Sequence, residues 1–335
     1  MTNYLVTGGC GFIGSNFIKF IMGFSDTTVC NIDKLTYAGN PLNLLEFEND
    51  ERYSFYRVDI CDKKKVETIF KSRKIDIVVH FAAESHVDRS ILSGIEFVKT
   101  NVEGTQSLID VSRDYSVQQF IHVSTDEVYG SIKEPGKFTE KSELHPNSPY
   151  AASKASSDLM VLAAIRTHDF PAKITRCSNN YGPFQYPEKL IPLMVSNILE
   201  GKSLPIYGTG ANIRDWIYVD DHCEGIYSVI TKGRAGEVYN IGGRSEIKNI
   251  DLVHKIADEL GVVPTIDFVK DRLAHDERYA IDFSKISKEC DWHPNIGLER
   301  GLKNTISWYE NNTGWLDKVK SNEYITYYKA QYEKS

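Results

Sequence analysis

The chain has 335 residues, of which 41% are hydrophobic and 25% are charged, and its formal net charge at pH 7 is −7. This composition predicts a globular protein with one large domain or two smaller ones, and the acidic balance disfavours a protein that binds nucleic acid. The sequence contains no apolar stretch of the ~18 residues that a membrane-spanning helix needs, no cleavable leader and no CxxC pair. We therefore expect a cytoplasmic protein whose cysteines are mostly buried thiols.

The first half of the chain alternates short apolar runs with segments of helical periodicity. A long helix is predicted to start near Pro149, a residue that is favoured in the first turn of a helix. Alternation of strands and helices predicts an α/β fold with a doubly wound parallel sheet. The runs that resemble buried strands are Tyr4–Thr7, Val29–Ile32, Ile75–Phe81, Phe120–Ser124 and Lys173–Cys177.

The pattern changes near residue 178, where longer loops rich in proline and aromatic residues begin. We predict two units, residues 1–178 and residues 179–335, the second being a smaller α/β lobe of which part returns to the main sheet. Such a lobe can close over a ligand at the carboxyl ends of the sheet strands. The elements predicted in the second unit are helices near Lys189–Leu199, Val219–Thr231 and Asn249–Leu260 and a strand at Leu204–Tyr207.

A glycine-rich turn, TGGCGFIG at residues 7–14, follows the first strand and precedes a helix. Glycines at Gly8, Gly11 and Gly14 let the backbone approach a pyrophosphate, and the helix offers its unpaired N–H groups to the anion. A generic glycine turn is the alternative, which the flanking strand and helix disfavour. Asp33 ends the second strand, where a carboxylate accepts the ribose hydroxyls of NAD and disfavours the extra phosphate of NADP. The predicted cofactor is NAD, although the neighbouring Lys34 weakens the argument against NADP.

Polar or small residues also follow the later strands. Asp59 and Ile60 are predicted to contact the adenine, and Ala82 and Ala83 to let the backbone approach the cofactor. The predicted strand Phe120–Ser124 is followed by Thr125-Asp126-Glu127, so a hydroxyl and two carboxylates are expected beside the nicotinamide. The alternative for these three residues is a solvated polar turn.

Tyr150 and Lys154 are four residues apart on the predicted helix and therefore share one face. An ammonium beside a phenol favours the phenolate, so we expect Lys154 to lower the pKa of Tyr150 and make it a base for a hydroxyl proton. A YxxxK pattern alone is a weak signal. Together with the glycine turn and Ser124-Thr125, it is a strong one.

This combination resembles the extended short-chain dehydrogenases/reductases, and within them the dTDP-glucose 4,6-dehydratases. The resemblance covers nearly the whole chain. The segments that carry it are TGGCGFIGSNF at 7–17, NIDKLTYAGN at 31–40, FAAESHVDRS at 81–90, STDEVYG at 124–130, SPYAASKASSD at 148–158, RCSNNYGP at 176–183, PEKLIP at 187–192, NIRDWIYVDDH at 212–222 and HDERYAID at 275–282.

The resemblance implies an NAD-binding Rossmann domain at residues 1–178, a nucleotide-sugar-binding domain at residues 179–335 and an internal redox cycle. In that cycle Tyr150, helped by Lys154 and Thr125, deprotonates the hydroxyl on sugar carbon 4 while NAD takes the hydride. Glu127 then removes the proton from carbon 5, and Asp126 protonates the hydroxyl that leaves carbon 6. Return of the hydride to carbon 6, with reprotonation of carbon 5, gives dTDP-4-keto-6-deoxyglucose, an intermediate of deoxysugar biosynthesis.

The resemblance also implies the binding residues, with Arg214 and Arg272 as the partners of the diphosphate. The implied NAD contacts are Gly8, Gly11, Phe12, Ile13, Gly14, Asp33, Lys34, Leu35, Thr36, Asp59, Ile60, Phe81, Ala82, Ala83, Glu84, Thr100, Tyr150, Lys154 and Asn180. The implied substrate contacts are Ser85, Thr125, Asn179, Lys189, Leu190, Pro205, Ile206, Tyr207, Arg214, Asn249, Arg272 and His275.

Two positions depart from the family pattern: Leu273-Ala274 replaces Pro-Gly, and Glu277 replaces an arginine, which leaves the base specificity open. Members of this superfamily commonly form homodimers through a helix bundle, for which Thr105–Val111 and Leu159–Ile165 are the candidate segments. No metal site is predicted, because the polar run 220–224 begins a helix and its side chains diverge. The aromatic residues of the tail, 324–332, are interpreted as helix packing.

Four alternatives to dTDP-glucose dehydration remain open. The same chemistry on UDP-glucose needs the same residues. A nucleotide-sugar 4-epimerase needs Tyr150 and Lys154 but not Asp126 and Glu127, and a decarboxylase of a nucleotide-glucuronic acid also starts by oxidising carbon 4. A non-catalytic NAD-binding sensor is the alternative from another class, since a fold does not fix a function.

Overall fold

A computed structural model describes residues 1–273 and 275–320, so Ala274 and the aromatic tail at 324–332 lie outside the described residues. The strands are β1 (Thr2–Thr7), β2 (Thr27–Asp33), β3 (Tyr53–Arg57), β4 (Ile77–His80), β5 (Gln119–Thr125), β6 (Ala172–Cys177), β7 (Asn179–Tyr181), β8 (Leu204–Tyr207), β9 (Ile213–Tyr218), β10 (Val238–Ile241), β11 (Glu246–Lys248) and β12 (Ile266–Val269). The α-helices are α1 (Phe12–Met22), α2 (Lys63–Ser72), α3 (Val87–Leu92), α4 (Ile95–Phe97), α5 (Thr105–Asp114), α6 (Pro149–His168), α7 (Leu190–Leu199), α8 (Val219–Lys232), α9 (Asn249–Glu259), α10 (Ser284–Cys290), α11 (Leu298–Asn311) and α12 (Thr313–Val319). A π-helical segment, Val98–Gly104, joins α4 to α5, and 3₁₀ turns occupy Pro41–Phe47 and Asp126–Tyr129.

Within the described residues, seven parallel strands form the main sheet in the order β10-β6-β5-β4-β1-β2-β3. The order reverses at β1, because β2 and β3 lie on one side of it and β4 and β5 on the other. Open α/β sheets bind their ligands outside the carboxyl ends of the strands at such a reversal. The predicted doubly wound α/β fold is confirmed.

Alternating side chains of the strands fill two cores, one on each face of the sheet. Tyr4 and Val6 pack with α1 and α8, whereas Leu5 packs with α2, α5 and α6. Both faces are therefore covered by helices, which explains why the strands are continuously apolar rather than alternating with polar residues. The rigid sheet fixes the positions of the loops at its carboxyl edge.

The second half of the chain contributes to two places. A third core joins α7, α9 and α11 to the strands β8 and β9, with β9 pairing β7 and β11, and β8 pairing β12. In contrast, β10 pairs with β6 in the main sheet, and α8 packs on α1, where Tyr227 stacks on Phe24 with ring centroids 4.9 Å apart. Part of the chain after residue 178 thus returns to the main sheet, while the boundary of the two units stays a prediction.

The cysteine side chains are mostly buried thiols, as predicted. All six cysteines are unpaired, and five of them are buried, with only Cys61 partly exposed. In residues 1–273 and 275–320, every helix is too short or too polar to cross a membrane.

Candidate active site

Two adjoining cavities lie along the carboxyl edge of the main sheet. The first, of about 310 Å³, extends from the glycine turn to Tyr150, and the second, of about 170 Å³, lies toward β8, β9 and α9. The residues that line both are Glu127, Asn179, Asn180, Gln185, Glu188 and Lys189. One continuous site is therefore divided into a cofactor cavity, the first, and a substrate cavity, the second.

The glycine turn is shaped for close approach of a ligand. Gly8 has φ +70°, and a Cβ there would lie 2.6 Å from the Ala82 backbone nitrogen, while a Cβ on Gly14 would lie 2.3 Å from the Gly8 carbonyl oxygen. Gly11 precedes α1 without a side chain that caps the helix. The N-terminal N–H groups of α1 therefore face the cavity as an anion site.

Asp33 stands at the end of β2 on the wall of the cofactor cavity. The backbone N–H groups of Cys10 and Leu35 donate to its two carboxylate oxygens at 3.0 and 2.8 Å. Burial raises the pKa of this carboxyl, and the two N–H groups partly oppose the increase. The turn, the helix end and this carboxylate fit the pyrophosphate and ribose of NAD, so the residues present suit the predicted cofactor.

The charge of Lys34 is paired with a neighbouring carboxylate, so this residue does not favour NADP over NAD. Its Nζ lies 2.8 Å from Asp59 Oδ2, and this partner raises the pKa of the lysine. The positive charge that would attract the additional phosphate of NADP is thereby paired within the protein.

Asp126 and Glu127 follow β5 in a 3₁₀ turn. Thr125 caps this turn, since the Glu127 N–H donates to Thr125 Oγ1 at 3.3 Å. Burial, followed by the charges of Glu127 and Asp215, raises the pKa of Asp126 well above its usual value. Asp126 Oδ2 is buried and has no hydrogen-bond partner among the described residues. This environment favours the protonated form of the Asp126 carboxyl beside the cavity.

The environment of Glu127 is more cationic. Burial raises its pKa, but Lys189, Arg214 and Arg272 act in the opposite direction. Two adjacent carboxyl groups thus experience different fields, which is how one site can hold a general acid and a general base.

Tyr150 and Lys154 project from α6 into the cofactor cavity, as the spacing predicts. Pro149 occupies the first turn of this helix, and Ser148 caps it by accepting the Ala151 N–H at 3.1 Å. Lys154 Nζ donates to the Val123 carbonyl at 2.9 Å, and burial lowers its pKa to about 8.

The expectation that Lys154 lowers the pKa of Tyr150 is wrong. Burial, followed by the charge of Glu127, raises the pKa of the phenol well above 10, and a hydrogen bond with Thr125 only partly opposes this. The reason is that the sequence spacing gives the shared face of the helix but neither the depth of the site nor the carboxylate of Glu127 beside the phenol.

The chain is similar to known nucleotide-sugar dehydratases along nearly its whole length. Residues 5–305 match the model of the family described as GDP-mannose 4,6 dehydratase. A dTDP-glucose 4,6-dehydratase of Escherichia coli is 48% identical, with 98% of each chain covered. The crystal structure of a dTDP-glucose 4,6-dehydratase from Streptomyces venezuelae, with NAD and TYD bound, superposes with a TM-score of 0.92 at 48% identity and covers 95% of this chain and 100% of that one.

The chain belongs to the dTDP-glucose 4,6-dehydratase family. A UDP-glucose 4-epimerase from Thermotoga maritima shares the fold with a TM-score of 0.87 but only 29% identity, over 93% of this chain and 100% of that one. The recognition of the family from its motifs is therefore confirmed, and the epimerases are more distant relatives.

In this dehydratase the structure brings nearly all of the predicted site residues to the two cavities. Leu35 is the exception among the predicted cofactor contacts: it does not line the cavity, and its backbone N–H instead supports Asp33. Ser85 and Thr125, predicted for the substrate, line the cofactor cavity, and the remaining predicted substrate residues line the substrate cavity. The roles of all these residues remain predictions.

Several cavity residues of the dehydratase were not predicted. Glu188 is buried between the cavities, where it accepts the Tyr37 hydroxyl at 2.9 Å and lies 3.3 Å from His86 Nε2, and burial raises its pKa to about 7. In the sequence it is one carboxylate beside the predicted Lys189. The other residues that the prediction missed include Ser124, Cys177, Gln185, Tyr186, Trp216, Asp276 and Tyr279.

Leu273 and Glu277 are the departures from the family pattern that lie within the described residues. Leu273 is 67% exposed, and the side chain of Glu277 is exposed. Neither lines a cavity. Among the described residues of this segment, the ones that face the substrate cavity are Arg272, His275, Asp276 and Tyr279.

Proposed function

We propose that this dehydratase removes water from dTDP-glucose and forms dTDP-4-keto-6-deoxyglucose, with NAD reduced and reoxidised in one turnover. The observation that carries the proposal is the pair Asp126 and Glu127, whose environments differ, at the junction of a cofactor cavity and a substrate cavity. An epimerase requires no acid and base of this kind at carbons 5 and 6.

Bound NAD supplies the hydride acceptor for carbon 4, the hydride donor for carbon 6 and, when oxidised, a positive charge in the cavity. Tyr150 accepts the proton of the carbon 4 hydroxyl, and Thr125 is its hydrogen-bond partner. Because burial raises the pKa of Tyr150, the phenol becomes a base only when positive charge outweighs the effect of Glu127. Lys154, fixed by Val123, supplies part of that charge in the same cavity.

Glu127 and Asp126 divide the elimination between them. Oxidation of carbon 4 acidifies the proton on carbon 5, and Glu127, the carboxyl with three nearby cations, removes it. Asp126, held protonated, gives its proton to the hydroxyl that leaves carbon 6. When the hydride returns to carbon 6, carbon 5 takes up a proton, which balances the one that Glu127 removed and completes the cycle.

The substrate cavity offers groups for a nucleoside diphosphate. Arg214 and Arg272 are the two guanidinium groups on its wall, and both suit bidentate binding of phosphate oxygens. Asn179 Oδ1 and Asn249 Oδ1 are buried on the same wall, with no hydrogen-bond partner in the part of the chain that the structure describes. Such acceptors are expected to bind ligand hydroxyl or N–H groups.

The assay that tests the function follows the product mass and deuterium content after incubation with dTDP-glucose or UDP-glucose in heavy water, without added NAD. We expect loss of one water and one deuterium at carbon 5, with dTDP-glucose reacting faster. Equal rates would move the assignment to both nucleotides. Conversion to the 4-epimer without loss of water, or no reaction with NAD supplied, would contradict the proposal. Carbon dioxide released from a nucleotide-glucuronic acid would support the decarboxylase.

We also propose that the protein is a cytoplasmic homodimer. Four apolar side chains on elements that pack together, α3, α4, the π-helical segment and α6, are exposed: Leu92, Ile95, Val98 and Leu159, with exposures of 81%, 68%, 52% and 55%. An exposed apolar patch of this kind favours an interface with another chain. Within Thr105–Val111, Leu108, Ile109 and Val111 are buried in the core of their own chain, so a contact of this segment with a second chain would use its other side chains.

Light scattering on the purified protein tests the dimer. We expect twice the chain mass, and we expect Leu159→Glu to shift the mass toward a single chain because it places a charge in the apolar patch. Leu273→Glu, at an exposed leucine of another region, is the matched control. A single-chain mass for the unaltered protein at micromolar concentration would overturn this part of the proposal.

A further inference from the structure

Asp88 stands behind the wall of the substrate cavity and was not among the predicted site residues. It lies on α3, in the HVDRS part of the segment 81–90, and is 8% exposed. Arg272 donates to it twice, Nε to Oδ1 and Nη2 to Oδ2, the second at 3.0 Å. The Tyr207 hydroxyl donates to the same Oδ2 at 3.1 Å. One carboxylate therefore holds two side chains that line the cavity.

The contact with Asp88 fixes Arg272, which lies outside any helix or strand. The carbonyl oxygens of Val269 and Glu277 accept backbone hydrogen bonds from other segments at 3.0 and 2.8 Å and so anchor the ends of the segment that contains Arg272. Between these anchors, Arg272 reaches across 184 positions of sequence to Asp88. The place of the guanidinium is thus set from the first half of the chain.

The geometry leaves the guanidinium able to bind a second anion. A guanidinium has five N–H donors in a planar fork, and Asp88 engages two of them along one edge. The Arg272 guanidinium carbon lies 5.1 Å from the centre of the Tyr207 ring, so the phenol restrains the plane as well. Burial raises the pKa of Asp88, but Arg272, His86 and the Tyr207 hydroxyl together lower it below its usual value, which favours the ionised form of the pair.

We propose that Asp88 is a positioning residue for the diphosphate of the sugar nucleotide. It holds Arg272 and Tyr207 in the arrangement that recognises the second phosphate, so that affinity for a nucleoside diphosphate exceeds affinity for the monophosphate. The ligand class rests on the proposed function, whereas the positioning itself rests on the contacts of Asp88.

The test compares binding of dTDP and dTMP by calorimetry with the NAD-loaded protein and its Asp88→Asn variant, together with KM and kcat for dTDP-glucose. We expect the Kd for dTDP to rise about tenfold, because one partner of a buried charged pair is lost, and the Kd for dTMP to change much less. KM should rise in parallel with the Kd for dTDP, and kcat should change little.

The matched control is Glu246→Gln, which neutralises another carboxylate paired with an arginine, since Arg278 Nε donates to Glu246 at 2.8 Å. It should leave the ratio of the two Kd values unchanged. If Asp88→Asn does not fold, as judged by NAD content, Asp88→Glu is the second variant. It retains the charge but displaces the guanidinium fork of Arg272, so it should reduce the preference for dTDP over dTMP.

An unchanged or tighter Kd for dTDP, or equal losses for dTDP and dTMP, would overturn the role of Asp88. Failure of the proposed function is a separate result: protein that binds dTDP but does not transform dTDP-glucose contradicts the reaction and leaves this comparison of the two ligands intact.

Discussion

The cofactor cavity draws most of its wall from residues at the ends of parallel strands, whereas the substrate cavity collects its wall from short pieces of distant elements. Gly8, Asp33 and Asp59 each follow or end a strand of the main sheet, so hydrogen bonding between strands fixes their spacing. Arg214 lies on β9, Asn249 begins α9 and Arg272 lies between elements, and hydrogen bonds of their side chains orient the two guanidinium groups. The first cavity thus depends mainly on strand pairing, and the second depends also on side-chain hydrogen bonds. Mutations should affect the two cavities in different ways.

A change at the proposed base in the cofactor cavity should affect the chemistry and leave the binding of both ligands intact. Tyr150→Phe removes the phenolic proton acceptor, and general-base catalysis typically contributes roughly 10²–10⁴-fold, so kcat should fall by about this factor. Bound NAD and the Kd for dTDP should remain as in the unaltered protein. Steady-state kinetics and NAD content measure these effects, with Tyr56→Phe as the control. A kcat within about twofold of the unaltered protein's would remove Tyr150 from the mechanism.

A change in the glycine turn should break the cofactor cavity alone. In Gly14→Ala the new Cβ would lie 2.3 Å from the Gly8 carbonyl oxygen, so the turn must open. We expect the affinity for NAD to fall about a hundredfold, equivalent to ~2.7 kcal/mol, and dTDP binding to persist. The control is Gly314→Ala, where an added Cβ meets nothing within 4 Å. Unchanged retention of NAD through gel filtration would contradict the fit of NAD to this turn.

A smaller effect is expected for Arg214→Lys in the substrate cavity. Arg214 donates to the carbonyl oxygens of Ile213 and Asp276 at 2.7 and 2.9 Å, which orients its fork. Lysine retains the charge but lacks the fork, so KM for dTDP-glucose should rise about tenfold with NAD still bound. Arg234→Lys, at a surface ion pair, is the control. A loss of NAD in Arg214→Lys would show that the two cavities are not independent.

A different property, the stability of the fold in acid, depends on two buried histidines. Burial lowers the pKa of His122 to about 4 and of His222 to about 3, from 6.5. Their folded-state pKa values are depressed, so the unfolded chain binds protons first as the pH falls below 6.5. The stability they contribute is complete above pH 6.5 and is lost below it, by about 2 kcal/mol for each histidine at pH 5.

Thermal unfolding at pH 7.5, 6 and 5 should therefore show a decreasing Tm. His145→Gln, at an exposed histidine, should leave this dependence unchanged, whereas His222→Gln should weaken it. A Tm that is equal at pH 7.5 and pH 5 would contradict the contribution of the buried histidines.

Local sequence predicted what local geometry controls. The glycine turn lies within eight consecutive residues, and Tyr150 and Lys154 share a face because four residues make about one helical turn. The bounds of β8 at Leu204–Tyr207 and the start of α6 at Pro149 were predicted from apolar runs and helix-start signals. The substrate residues came from the resemblance instead, because no periodicity brings Tyr207 and Arg272 together.

The errors have a common physical origin in burial. Lys154 was expected to lower the pKa of Tyr150, but desolvation and the charge of Glu127 raise it. The burial of Leu108, Ile109 and Val111 in their own chain was not predicted, because hydrophobicity alone does not say which apolar surface covers a side chain. Glu188 was missed because its burial between the cavities depends on both halves of the chain.

The sequence by itself determined the alternation of strands and helices in the first half of the chain, the glycine turn, the YxxxK helix face and the family. These depend on steric rules and side-chain periods that act over a few residues. Only the tertiary structure decided that Asp126 and Glu127 experience different fields, that Lys34 is paired with Asp59 and that Asp88 holds Arg272 and Tyr207. Burial and charge pairing depend on residues that are far apart in sequence, and their energies are set once the sheet and the second lobe have closed around the site.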